Sequence, residues 1–340
     1  MSKCKKVTLF IFCIIVGIIV LVIHFIPKDI ELEYKEGVWY KVYLDDVIDK
    51  HGNKYFFLYR KGSSNKLLIN FYGGGFAYNE EMISNKHNFY IDNIKYEEFN
   101  HLVGISNYSV FSSYSVVNIP YVSGDFHVGN KGYFNGYDNF LKIMEDVKKY
   151  EGEVSEVVVS GYSAGGFASA MLSNTIFNDY FSEVENMSVI VDSSLLLSDK
   201  WSYILGSVWN SSEEVLNKVK TDNIVLDNIT YLINNNERVK VMFMSSVRDK
   251  TLVKYQNYLD NRDFSSSNYL GIKYMSNLSE MVNSLLELDR TSVYIWDDSI
   301  NGGLSSHTIT RGSFLNKKVS NYISSVINGD LTSYGIDLLK

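Results

Sequence analysis

Beyond residue 13 the sequence contains no cysteine, because its only two, Cys4 and Cys13, stand at the N-terminus. Everything after them must fold without a disulfide and without a cysteine-ligated metal. Proline is nearly as scarce: Pro27 and Pro120 are the only two, and no linker-like, low-complexity or repetitive stretch divides the chain. A formal net charge of -7 offers no basic surface, so nucleic acid is not expected as a partner. What the chain does have is apolar material, 46% hydrophobic and 14% aromatic residues against 21% charged. That is enough for one large core.

The apolar residues are unevenly placed. After Lys3, Lys5 and Lys6, residues 7–26 read VTLFIFCIIVGIIVLVIHFI, with only Thr8 and His24 clearly polar. A run of roughly 20 such residues is long enough to cross a bilayer as a helix. It is followed by Pro27 and Lys28 rather than by a small-residue cleavage site, so a retained anchor is expected over a signal peptide. The lysines precede the span, which puts the tip in the cytoplasm. Residues 1–28 are thus expected to form a cytoplasmic tip and one transmembrane helix, and residues 29–340 a single extracytoplasmic domain of a single-pass cell-membrane protein.

Within that domain, short runs rich in Val, Ile and aromatic residues read as buried strands at 66–72, 115–121, 154–160, 188–191, 239–244 and 292–296. Helical spacing appears between them at 137–149, 165–176, 213–219, 278–286 and 314–326. Strand and helix alternate, which predicts an α/β fold whose mostly parallel sheet is flanked by helices. The polar, asparagine-rich stretches 201–236 and 257–280 read as insertions on the substrate side of that sheet.

One strand runs into GYSAGGFASA, residues 161–170. Gly161-Tyr162-Ser163-Ala164-Gly165 fits G-x-S-x-G in full, and its setting between a strand and a helix gives the match meaning. A sharp turn there lifts the serine hydroxyl clear of the sheet. The plainer alternative is a glycine-rich turn whose serine caps the helix. An acyl-transfer site also needs N–H donors where negative charge develops. Strand 66–72 leads into Gly73-Gly74-Gly75-Phe76, so the N–H groups of Gly75, Phe76 and Ala164 are the candidate oxyanion donors.

A serine nucleophile needs a base, and there are six histidines. His24 lies in the apolar run, His51, His87 and His101 in polar segments before the serine, and His127 in an aromatic loop. His307 follows the last strand, which suits the chain order nucleophile, acid, histidine. The acid should follow the strand between them. Asp249, beyond VMFM, is the first choice; Asp192 comes too early, and Asp297 and Asp298 are in reserve.

These residues resemble the pectin acetylesterase family, which includes the Notum-type carboxylesterases. Four segments carry the resemblance: INFYGGGFAYN (69–79), NIPYVSGDFHVGN (118–130), VVVSGYSAGGFA (157–168), and the pair VRDKTL with SSHTI. It implies an α/β-hydrolase-like fold, no cofactor and no metal, and removal of an acyl group from an ester by Ser163, Asp249 and His307. Gly74 and Tyr162 are further expected to contact substrate, while Asp125 and His127 either do so or build a structural turn. Phe76 stands where relatives often carry tryptophan, and the missing disulfides fit a bacterial chain. The expected activity is a carboxylic ester hydrolase, acting foremost on acetyl groups of a polysaccharide or another acylated surface molecule. A silent glycan-binding scaffold and a serine peptidase or acyltransferase are the alternatives.

Overall fold

The structure, a computed structural model, describes residues 34–85, 89–97, 104–311 and 317–340. The expected anchor at 1–28 lies outside them. Among the described residues no helix is long and apolar enough to cross a membrane.

Runs of β-branched and aromatic residues form eight strands: β1 (Trp39–Ile48), β2 (Lys54–Arg60), β3 (Lys66–Phe71), β4 (Ser115–Ile119), β5 (Glu156–Tyr162), β6 (Asn186–Asp192), β7 (Val239–Ser246) and β8 (Thr291–Trp296). They make one sheet in the order β1-β2-β4-β3-β5-β6-β7-β8. The pairs β1–β2 and β2–β4 are antiparallel, and the rest of the sheet is parallel. The six expected strands are present. The antiparallel pair β1 and β2 comes in addition to them, and the reason the sequence hides it is local: Asp46 adopts φ 56° and the register shifts between Tyr43 and Ile48. Such a bulge breaks the two-residue alternation by which a half-exposed strand is recognised.

The parallel strands are covered on both faces and therefore read as continuous apolar runs. All seven residues of β5 are buried. Their helical partners are α1 (Gly136–Tyr150), α2 (Ala164–Thr175), α3 (Ile224–Asn235), α4 (Lys250–Asn261), α5 (Asn268–Leu286) and α6 (Lys317–Ile327). On α1, Phe140, Ile143, Met144 and Val147 recur at helical spacing and are buried. Leu68, Val116, Val158, Ile190 and Met242 of the strands join Val319, Tyr322, Ile323 and Val326 of α6 in one apolar cluster.

Helix α2 differs, because eleven of its twelve residues are buried. A helix enclosed on every side must have small residues where it meets the sheet. A Cβ on Gly161 would collide with the carbonyl oxygen of Gly165, and one on Gly165 with that of Phe71. These glycines let the start of α2 press against the ends of β3 and β5, so the serine between them sits at the carboxyl edge of the sheet.

The asparagine-rich stretch 257–280 is not an insertion. It holds the end of α4 and most of α5, whose Gly271, Tyr274, Leu278, Met281, Val282 and Leu285 are buried at helical spacing. Asparagine and serine are weak helix formers, and packing overrides that preference here. Stretch 201–236 contains α3 and short turns, with Trp201 and Trp209 fully buried.

Candidate active site

Strand β5 delivers Ser163 in a conformation that L-residues rarely adopt, φ 54° and ψ -125°. Ser163 occupies the N-cap position of α2, yet its side chain makes no capping hydrogen bond. The helix-cap explanation of the motif therefore does not describe this residue. Its main chain is held firmly: its N–H donates to the carbonyl of Asp192 at 2.8 Å, and its carbonyl accepts from Gly166 N and Ser194 Oγ, each at 2.8 Å.

Strand β7 ends just before Asp249, which caps α4. One carboxylate oxygen, Oδ1, accepts from the N–H groups of Thr251 and Leu252, both at 2.9 Å. The other, Oδ2, lies 2.7 Å from Nδ1 of His307. The carboxylate is fully buried, and its two oxygens have separate duties: one is committed to the helix and the other to the imidazole. Asp297 and Asp298 are exposed. Asp298 accepts from the N–H of Ser306 at 2.8 Å instead of reaching His307.

Ser163 and His307 line one cleft of about 740 Å³, together with Gly73, Gly74, Gly75 and Tyr162. The glycine loop is tied down by a bridge between Gly75 and Tyr90 and by Ile91 N–H donating to the carbonyl of Gly74 at 2.8 Å. Ala164 is the first residue of α2, where an N–H has no partner within the helix. The Phe76 side chain turns away into an aromatic cluster, with ring centroids 5.0 Å from Phe126 and 5.2 Å from Tyr255. Only its main chain is available as a donor.

Asp125 and His127 are buried and are not among the residues lining the cleft. Their side chains bond within the protein. Asp125 accepts from Ser123 Oγ at 2.5 Å, His127 N at 3.0 Å and Gly136 N at 2.8 Å. His127 Nε2 lies 2.9 Å from the carbonyl oxygen of Tyr72, which only accepts, so that nitrogen carries the proton. The imidazole thereby braces the end of β3 directly before the glycine loop.

Burial holds His127 down at about 4 and pushes Asp125 up to about 6. The two act oppositely on stability. As pH falls from about 6.5 towards 4, the unfolded chain takes up a proton at His127 that the folded chain refuses, which costs on the order of 3 kcal/mol. Across much of the same window the folded chain retains a proton on Asp125 that the unfolded chain has released, which offsets a similar amount. His127→Gln removes only the first effect. The variant should be less stable than the parent at neutral pH, and the gap should close as pH approaches about 4. Urea unfolding across that range checks it; a gap independent of pH would refute the buried neutral imidazole.

Part of the cleft carries no signal in the sequence. Phe89, Tyr90, Ile91, Asp92, Asn93 and Lys95 form a wall, and His51, Thr251, Tyr255, Thr308 and Arg311 also contribute. His51, which the sequence shows only as a histidine in a polar segment, has Nε2 3.0 Å from Asp92 Oδ2, and Lys50 Nζ lies at the same distance. No motif marks these residues; only the tertiary fold collects them. His24, His87 and His101 lie outside the described residues.

A family model described as pectinacetylesterase matches residues 51–274, a span that includes Ser163 and Asp249 and stops before His307. Among solved structures, the Wnt deacylase Notum from Drosophila is similar at a TM-score of 0.58 and 15% identity, covering 87% of this chain and 96% of that one. At that identity the likeness is one of fold. No curated protein sequence matches this chain.

Proposed function

The chain belongs to the pectinacetylesterase family, and from that premise we propose that it is a serine-dependent carboxylic ester hydrolase that removes acyl groups, acetyl foremost, from a polysaccharide or another acylated surface molecule. One observation carries this reading: Ser163 and His307 line the same cleft, and Asp249 holds Nδ1 of His307 at 2.7 Å.

In this reading Ser163 Oγ attacks the ester carbonyl while Nε2 of His307 takes its proton. The oxyanion is held by main-chain N–H groups of Gly75, Phe76 and Ala164. Protonated His307 returns its proton to the departing alcohol, leaving an acyl-enzyme. Water deprotonated by the same imidazole then releases the acid and restores Ser163. The glycine loop and Tyr162 border the reacting carbon, whereas His51, Asp92, Asn93, Lys95 and Arg311 give the cleft a polar side suited to a hydroxyl-rich carrier. The reading also keeps residues 29–340 outside a membrane anchored by residues 1–28.

The test is turnover of p-nitrophenyl acetate, butyrate and octanoate by the full-length chain, beside acetate release from an O-acetylated polysaccharide and cleavage of the matching anilide. Acetate should exceed octanoate by roughly tenfold or more in kcat/KM, with little anilide cleavage. A preference for octanoate would sink the acetyl assignment, and faster anilide cleavage would move the peptidase alternative ahead.

A further inference from the structure

We propose that Asp192, which lies outside the Ser163, Asp249 and His307 set, is a positioning residue that clamps the nucleophile turn and the histidine loop into one frame; the catalytic part of this inference rests on the esterase reading above. Asp192 is the last residue of β6 and is fully buried. Its main-chain carbonyl accepts from the N–H of Ser163 at 2.8 Å. Its side chain serves the other half of the site: Oδ2 accepts from Ile309 N at 2.9 Å, Thr310 N at 2.8 Å and Thr310 Oγ1 at 2.7 Å. Its neighbour extends the grip, since Ser193 Oγ donates to Asp192 Oδ1 at 3.0 Å and lies 3.1 Å from Thr308 N, which donates to it.

The position of His307 explains why the clamp matters. On its N-terminal side, Ser306 is held by Ser246 Oγ donating to its carbonyl at 2.6 Å, and Ser305 is paired with Arg248 and Lys250. On its C-terminal side, residues 308–310 depend on Asp192 and Ser193. Thr308 adopts φ 59°, a conformation that needs outside support. His307 is therefore suspended between two anchors, one on β7 and one on β6. The β6 anchor also bonds the nucleophile's own N–H. A carboxylate can accept all these donors at once, and two of them are backbone amides that no other group in the clamp would satisfy. Releasing the C-terminal anchor leaves His307 held from its N-terminal side and by the Asp249 bond only, and displacement of a reacting group by about 1 Å can cost on the order of 100-fold.

The experiment compares the full-length parent with Asp192→Ala and Ser193→Ala. It measures kcat and KM for p-nitrophenyl acetate, and amide hydrogen exchange over residues 305–311 by mass spectrometry. Asp192→Ala, which leaves the N–H groups of Ile309 and Thr310 without their acceptor, should lower kcat by roughly 100-fold and leave KM within about twofold. Exchange should rise in residues 305–311 and stay at the parental level in β5 and β7. Ser193→Ala should do the same to a smaller degree, roughly tenfold, and it decides the matter if Asp192→Ala does not fold. A folded variant with parental kcat and parental exchange in the loop would overturn the inference. If the parent hydrolyses no ester, the esterase reading fails by itself; the clamp is then judged on exchange, where a loosened loop supports it and an unchanged loop refutes it.

Discussion

Replacing Ser163 with alanine should lower kcat for ester hydrolysis by on the order of 10⁴-fold or more and leave the folded protein otherwise unchanged. Both halves follow from the turn. The substitution deletes one oxygen, and that oxygen makes no capping bond to α2, so the helix loses nothing with it. The main-chain bonds to Asp192, Gly166 and Ser194 do not involve the hydroxyl. Alanine tolerates the residue's positive φ no worse than serine does. The melting temperature should therefore stay within a few degrees of the parent. An alanine variant that keeps a tenth or more of the parental kcat would remove Ser163 from the mechanism. A variant that loses activity by unfolding would decide nothing about chemistry, which is why the melt belongs in the same experiment. Residual turnover is expected, because a cleft with oriented N–H donors still stabilises an oxyanion formed by water attack.

The serine turn is legible in the sequence because each of its requirements is local. A buried strand, a glycine at each close contact and an enclosed small-residue helix fall within residues 156–175. Asp249 and His307 are legible by chain order, since each follows a recognisable parallel strand. The remainder is hidden for definite physical reasons. Strands β1 and β2 lie at the antiparallel edge, where a bulge scrambles the pattern. The first half of helix α5 is disguised by its asparagine and serine residues, whereas its second half shows helical spacing at 278–286. Asp192 qualifies in the sequence only as a partner for the histidine ring, and for that it comes too early; nothing in the residue's neighbourhood discloses that its carboxylate bonds backbone amides 117 and 118 positions away. Asp125 and His127 show the converse, since in a distinctive motif Asp125 bonds the loop that carries it and His127 bonds the end of β3.

Asp249→Asn should be nearly as damaging as the loss of the serine, with kcat lower by about 10⁴-fold in spite of a preserved fold. The orientation forced on the new amide decides the outcome. Two backbone N–H groups, of Thr251 and Leu252, point at Oδ1, and only the amide oxygen can accept from them. The NH₂ group is then left opposite His307, where a carboxylate oxygen had accepted at 2.7 Å. A donor at that place requires Nδ1 to be the acceptor, so the ring proton moves to Nε2. Nε2 is the nitrogen that must be unprotonated to take the serine's proton, and the imidazole is thereby locked in the wrong tautomer. Asp249→Ala imposes no such lock, although it deprives α4 of its cap and should cost about 1 kcal/mol or more in stability. The ordering of the two variants is thus the informative result. Asparagine should be the more stable protein and no more active than alanine, as read from urea melts and kcat at neutral pH. If Asp249→Asn kept activity within about tenfold of the parent, the carboxylate would be a helix cap that merely touches the histidine, and the search for the acid would have to begin again.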